Sequence, residues 1–324
     1  MKKRILIIAP SWIGDMVMAH SLIQILNAEE IDVLAPQWSA PLLERIDGVS
    51  NTIIHDFKHG ALNLKSRFQI AKKLREKHYN QAILLPNSFK SALIPFLAKI
   101  PQRTGYLGEM RIGLLNDIRT KKHYRTVDQF VALGFPERAS FEIKPPQLKH
   151  QPIDLDKFNL NLEKPILALC AGAEYGSAKR WLIDYFEEVV RFYLSKNWQV
   201  WAFGSVKEQP QGLAIEKAGG INLCGKTTLA EAIDLLALST AVISNDSGLM
   251  HVSAALNKPL IAIYGSSDPH FTPPLSSNAK VVSLNLPCSP CFKRECPLEH
   301  LNCLRELKPQ QVIETLNEML ILNC

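Results

Sequence analysis

Residues 4–19 read RILIIAPSWIGDMVMA, and they decide the fold. RILIIA is a short, continuous run of branched apolar side chains, the pattern of a strand buried on both faces. The segment after it, DMVMAHSLIQIL, carries apolar residues at helical spacing. A strand that hands over to a helix is the repeating unit of a parallel sheet. In a dinucleotide-binding turn that junction would be rich in glycine, because a pyrophosphate must come close to the backbone N–H groups at the helix N-terminus. This junction holds one glycine, Gly14, and then Asp15. A carboxylate repels phosphate, so the turn serves another chemistry. Spacing leaves two roles for Asp15: N-cap of the helix MVMAHSLIQIL, or a general base that takes a proton from a hydroxyl, worth roughly 10²–10⁴ in rate.

Outward from this unit the alternation continues with IDVLAP, TIIHDF, the helical segment ALNLKSRFQIAKKLREKHY (residues 61–79) and QAILLP. Strands separated by helices of this length form right-handed βαβ units. Residues 1–150 are therefore expected to be a doubly wound α/β domain. Residues 141–164, FEIKPPQLKHQPIDLDKFNLNLEK, interrupt the pattern with prolines and polar side chains and read as a linker. The alternation then restarts with PILALCAG, WLIDYFEEVVRFYL, WQVWAFG, LAEAIDLLALS, AVISND and PLIAIYG. Residues 151–324 make a second Rossmann-like domain. Two such halves predict an α/β fold with a cleft between them and sites in the loops at the C-terminal ends of the strands. The closing helix, about 308–322, is expected to pack back on the first half.

The length of 324 residues exceeds what one hydrophobic core serves. No stretch approaches the about 20 apolar residues that span a bilayer, and Pro10 and Asp15 come too early for the apolar region of a signal peptide. A cytoplasmic chain is expected, in which the seven cysteines are thiols or metal ligands. The net charge of +6 suits an anionic ligand or the anionic inner face of a membrane. The basic segment 61–79 fits a solvated helix face or a membrane contact. There are no RNP aromatics and no zinc-finger spacing with histidines, so nucleic acid is not an expected partner.

Two loops of the second half carry chemistry. In DSGLMHVSAAL, residues 246–256, Ser247 and Gly248 open a helix whose N–H groups and dipole attract an anion, with Asp246 and His251 close by. Asp246 alone is also a normal N-cap. In AEYGSAKRW, residues 173–181, Lys179 and Arg180 stand at the C-terminal end of a strand, where cations stabilise a departing diphosphate without a metal. GINLCGKT, residues 220–227, satisfies the Walker A pattern with Lys226 and Thr227, but the residues before it are helical and the supposed loop INLC is apolar and strand-like, so it is read as a chance match. DLD, residues 154–156, lies in the linker and is discounted as a metal pair. CSPCFKRECPLEHLNC places Cys288, Cys291, Cys296 and Cys303 within sixteen residues, which fits a closed structural zinc site or a reduced surface loop.

PSWIGDMVM, LPNSFKSALIP, RTGYLGEMRIGLLND, AKRW, FGS, NDSGLMHVSAALNKPL and YGSSDPHFTPPLS occur in that order along nearly the whole chain. Together they resemble the heptosyltransferases of lipopolysaccharide synthesis. The resemblance implies a two-Rossmann (GT-B type) glycosyltransferase with the acceptor on the N-terminal half and ADP-heptose on the C-terminal half. It further implies an inverting transfer of L-glycero-D-manno-heptose that needs no metal, with Asp15 as base. Lys179, Asp246, Ser247, Gly248 and His251 are the matching donor-binding positions. NSFKSALIP and GEMRIGLLND favour the first heptose of heptosyl-Kdo2-lipid A as acceptor over the sister reaction on Kdo2-lipid A itself. Such an acceptor carries phosphates and acidic sugars, so Lys90, Arg103 and Arg111 are expected to be its partners, and a peripheral contact with the inner membrane is expected. The cysteine cluster lies outside the catalytic pattern of these enzymes.

Overall fold

The computed structural model describes residues 3–57, 62–137 and 139–322; Ala61 and Cys324 lie outside them. The chain divides into two compact units, Met1–Gln147 and Leu148–Cys324. The first contains β1 (Arg4–Ile8), α1 (Ile13–Ile23), β2 (Glu30–Pro36), α2 (Ala40–Leu43), β3 (Asn51–His55), α3 (Leu64–Arg75), β4 (Gln81–Leu84), α4 (Phe89–Leu97), β5 (Gln102–Tyr106), β6 (Asp117–Arg119) and α5 (Thr126–Ala132). Its sheet is parallel in the order β3-β2-β1-β4-β5-β6. Ile7 of β1 sits opposite Val33 of β2 and Ile83 of β4. Ile5, Leu6 and Ile7 are almost wholly buried, as the unbroken apolar run requires of a central strand covered on both faces.

The second unit contains β7 (Ile166–Cys170), α6 (Ile183–Ser195), β8 (Gln199–Ala202), α7 (Gln209–Lys217), β9 (Ile221–Asn222), α8 (Leu229–Leu238), β10 (Ala241–Asn245), α9 (Gly248–Ala255), β11 (Leu260–Ile263), β12 (Ala279–Val282), α10 (Asn302–Arg305) and α11 (Pro309–Leu322). Its parallel sheet runs β12-β11-β10-β7-β8-β9. Each unit thus starts in the middle of its sheet, adds strands to one side, and then returns to the other side of its first strand. The strand order reverses between β1 and β4 in one unit and between β7 and β10 in the other. Loops at such a switch point diverge and leave a crevice at the carboxyl ends of the strands. Asp15 in the first turn of α1 follows β1, Lys179 follows β7, and Asp246 follows β10, so all three stand just after switch-point strands.

Several elements carry too little periodic signal to be read from sequence. β6 has three residues, two of them charged, and is held by Asp117, which accepts from Thr104 Oγ1 at 2.8 Å and pairs with Arg119. β12 lies at the sheet edge and is only partly buried. α4 contains Pro95, whose missing N–H deprives the Ser91 carbonyl of its helical partner. At the boundary between the units two consecutive backbone donors are held: Gln147 N–H reaches His20 Nδ1 at 2.9 Å, and Leu148 N–H reaches the Ala255 carbonyl at 3.0 Å. The closing helix, α11, contributes to the core of the second unit. Val312, Ile313, Leu316 and Met319 join the core of the second sheet, and Asn317 Oδ1 accepts from the Tyr193 hydroxyl. Among the described residues no helix is long and apolar enough to cross a membrane.

Candidate active site

The second unit's switch point is built around Asn245, the last residue of β10. Its buried amide donates from Nδ2 to the Ala171 carbonyl at 2.7 Å and accepts from Trp181 N–H at 3.1 Å. One side chain therefore ties both ends of the 171–181 loop to the neighbouring strand. Trp181 is locked further by its indole N–H, which donates to the Leu307 carbonyl at 2.9 Å. Between these two fixed points a short turn, Ser177–Lys179, carries Lys179 to Asp246. Lys179 Nζ and Ser267 Oγ both bond Asp246 Oδ2, the serine at 2.5 Å. The ion pair is largely buried, with side-chain exposures of 16% and 5%. The Tyr175 ring lies 5.0 Å below the ammonium and adds a cation–π contact. Arg180 turns back instead and donates from Nε and Nη2 to the Ala173 carbonyl, bracing the loop.

Asp246 is therefore not the cap of α9. The N-cap residue is Ser247, and no side chain caps the helix. The N–H groups of its first turn, beginning at Gly248, keep the donors and the positive dipole end that suit an anion. His251 lies one turn in and is buried, and its pKa falls from the ordinary 6.5 to about 4. Burial is the main cause; Asp246 pulls the other way and Lys179 adds to the depression. The imidazole is neutral at pH 7. Because the unfolded chain takes up this proton near pH 6.5 and the folded chain only near pH 4, stability falls as pH drops through that window, by up to about 3 kcal/mol. His251→Gln is expected to lose less melting temperature than the wild type between about pH 7 and pH 4.5; equal losses would remove His251 as the source.

In the first unit, Asp15 is the third residue of α1 and half-buried. The helix starts after Trp12, whose carbonyl accepts from Met16 N–H at 2.9 Å, and no side chain caps it. Asp15 is thus a first-turn carboxylate rather than an N-cap, at the end of the helix whose dipole attracts negative charge. The three basic residues expected to meet an acceptor have distinct surroundings. Lys90 is half-buried in the first turn of α4, and its carbonyl accepts from Arg67 Nη1. Arg103 donates to the carbonyls of Leu114 and Ile100, both at 2.6 Å. Arg111 is 0% exposed and donates to the Pro86 carbonyl at 2.7 Å, to Ser91 Oγ at 3.2 Å and to the Tyr106 carbonyl, while its Nε is buried without a partner. These bonds fasten the loop after β5 to the loop after β4. Gly108 completes the fastening, since a Cβ there would stand 2.5 Å from the Asn87 carbonyl oxygen.

Asn245, Ser267 and Tyr175 are the members of this site that sequence reading passed over. Ser267 follows β11, so the run GSSD at a third strand end was the available signal. The Walker-like stretch is divided by β9, and Lys226 lies 4.0 Å from Glu216. The four clustered cysteines line one small cavity. Burial, and then the three neighbouring thiols, push the Cys303 thiol up to about 11. Among the described residues no three His, Cys, Asp or Glu side chains stand in metal-ligand geometry.

Two parallel sheets of this switch-point topology, one with a buried Lys–Asp pair beside an uncapped helix and the other with a first-turn carboxylate, define a glycosyltransferase of the two-Rossmann class. The family model for glycosyltransferase family 9 (heptosyltransferase) matches residues 67–302, and the chain belongs to that family. It is 41% identical to lipopolysaccharide heptosyltransferase 2 of Escherichia coli K12, with 98% of this chain and 99% of that one aligned. It is 42% identical to lipooligosaccharide heptosyltransferase 2 of Haemophilus influenzae over the same shares. The solved structure of the E. coli ADP-heptose LPS heptosyltransferase II superposes with a TM-score of 0.87 at 39% identity, covering 99% of both chains.

Proposed function

We propose that this enzyme transfers L-glycero-D-manno-heptose from ADP-heptose to the first heptose of the lipopolysaccharide inner core, with inversion and without a metal ion. The observation that carries the reading is the buried Lys179–Asp246 pair beside the uncapped N-terminus of α9. Asp15 takes the proton of the acceptor hydroxyl as its oxygen attacks the anomeric carbon. The bond from that carbon to the diphosphate oxygen breaks, and its electron pair leaves on ADP. The N–H groups at Gly248 and the Lys179 ammonium receive that charge, which takes the place of a metal. Asp246 uses Oδ2 for both of its bonds, so Oδ1 serves to accept from a heptose hydroxyl. The near-full-length identity to heptosyltransferases 2 supports the second-heptose acceptor.

The test is heptose transfer from ADP-heptose to Kdo2-lipid A with and without one heptose, in EDTA. Product on the heptosylated acceptor alone supports the reading; product on the bare acceptor moves the enzyme to the sister reaction.

A lipid-borne acceptor also calls for a membrane contact, and α3 offers the surface. Arg67 occupies its inner face, donating to the Leu62 carbonyl at 2.7 Å and covering the Phe57 ring at 4.1 Å. Leu64 and Phe68 are left exposed next to Lys65, Lys72 and Lys73. The helix packs on α4, whose first residue, Phe89, is bonded to Glu109 of the loop carrying Met110, 86% exposed, and Ile112. Basic charge beside exposed apolar side chains fits an anionic bilayer at the cytoplasmic face. Phe68→Ser with Met110→Ser is expected to reduce sedimentation with vesicles containing anionic lipid several-fold while leaving turnover of a detergent-dispersed acceptor intact. Undiminished sedimentation would place the contact elsewhere.

A further inference from the structure

Four thiols that the transfer chemistry leaves unused share one enclosure. Cys288, Cys291, Cys296 and Cys303 are free thiols and line a cavity of about 20 Å³ together with Ala178, Ser266 and His300. Such a volume accommodates a single water- or ion-sized body. Ser266 points independently to an occupant: it is 1% exposed, and its hydroxyl has no hydrogen-bond partner. His300, also in the lining, is held in place by accepting through Nδ1 from Asn302 N–H at 2.9 Å. Residues 283–301 contain neither helix nor strand, and an ordered stretch of that length within a compact unit needs a fastening.

We propose that the cavity is a structural cation site, in which the four thiolates close tetrahedrally on one thiophilic divalent ion of the zinc class. Four sulfur ligands select such an ion over hard, oxygen-loving cations. The four cysteines line the cavity but, among the described residues, no three such side chains are already set to hold an ion; each cysteine has one side-chain torsion through which an ion draws its sulfur inward. Binding releases the thiol protons and leaves a net negative charge on the site, beside which the same loop places Lys293 and Arg294.

The ion would stiffen the wall on which the Lys179 turn is built. Ala178 N–H donates to the Arg294 carbonyl at 3.0 Å, the Tyr175 hydroxyl donates to the Phe292 carbonyl at 2.8 Å, and Phe292 N–H donates to the Ser266 carbonyl at 2.7 Å. Gly176 is required at this contact, because a Cβ would stand 2.2 Å from the Arg294 carbonyl oxygen. The site stands whichever sugar the enzyme moves.

The experiment is elemental analysis of full-length, untagged protein purified under reducing conditions without added metal. The expected result is one equivalent of zinc per chain, released by an organomercurial and replaceable by Co²⁺ with thiolate-to-cobalt charge-transfer absorption. Cys291→Ser and Cys296→Ser should each lose most of the metal and the cobalt absorption. Iron in place of zinc, lost in the same variants, would support the four-thiolate site and identify its ion. Wild-type protein with negligible metal, no cobalt spectrum and four thiols alkylated at the rate of free cysteine would overturn the proposal without any variant having to fold. Full metal retention in the variants would overturn it equally.

Discussion

Replacing Asp15 by Asn is expected to lower kcat/KM for heptose transfer by roughly 10²–10⁴-fold, the usual worth of a positioned general base. Affinity for ADP should stay unchanged, because Asp15 belongs to the first unit and the proposed diphosphate contacts belong to the second. The substitution keeps the side chain's shape. The weakened interaction of a first-turn carboxylate with the α1 dipole costs about 0.3–1 kcal/mol. Lost activity in a protein of near wild-type melting temperature is thus a loss of chemistry. Steady-state transfer and ADP titration calorimetry check it; an Asp15→Asn enzyme within a few-fold of wild type would remove Asp15 from the reaction.

Lys179→Ala is expected to reduce transfer by roughly 10²–10³-fold, the cost of removing one donor aimed at developing charge. It should also destabilise the second unit by about 3–5 kcal/mol, because the buried Asp246 carboxylate loses its counter-charge. The two effects separate in the double variant with Asp246→Asn. Neutralising both partners removes the uncompensated charge, so most of the stability should return while transfer stays low. Denaturant unfolding of the wild type, the two single variants and the double variant reads the first effect, and transfer assays read the second. A double variant as unstable as Lys179→Ala would show that the lysine supports the loop mainly by packing. Recovery of activity in the double variant would remove Lys179 from leaving-group stabilisation.

The candidate site was only partly legible. Lys179, Asp246, Ser247, Gly248 and His251 could be placed at strand ends because the apolar runs before them mark where strands stop. Asp246 could be read equally as a cap, since Asp before a helix is compatible with either role; only its bond to a lysine 67 residues earlier separates the two. Arg111 illustrates the opposite difficulty. Its charge suggested a ligand partner, yet it is fully buried and its Nη1 and Nη2 donate to the Pro86 and Tyr106 carbonyls. Arg67 does the same inside α3, while Phe68 beside it is exposed, an inversion of what the amphipathic pattern of that helix suggests.

What the sequence determined by itself was the alternation of strand and helix, its restart in a second half, and the strand ends at which the candidate residues stand. These follow from apolar periodicity and turn residues, which are local properties of a few neighbouring side chains. The tertiary structure alone decided which of those loops meet. β7 and β10 are far apart in the chain but adjacent in the sheet, and that adjacency brings Lys179, Asp246 and Asn245 together. It also decided which polar groups are spent on holding the fold, as Arg111 is, because a buried donor must find an acceptor wherever the packing supplies one.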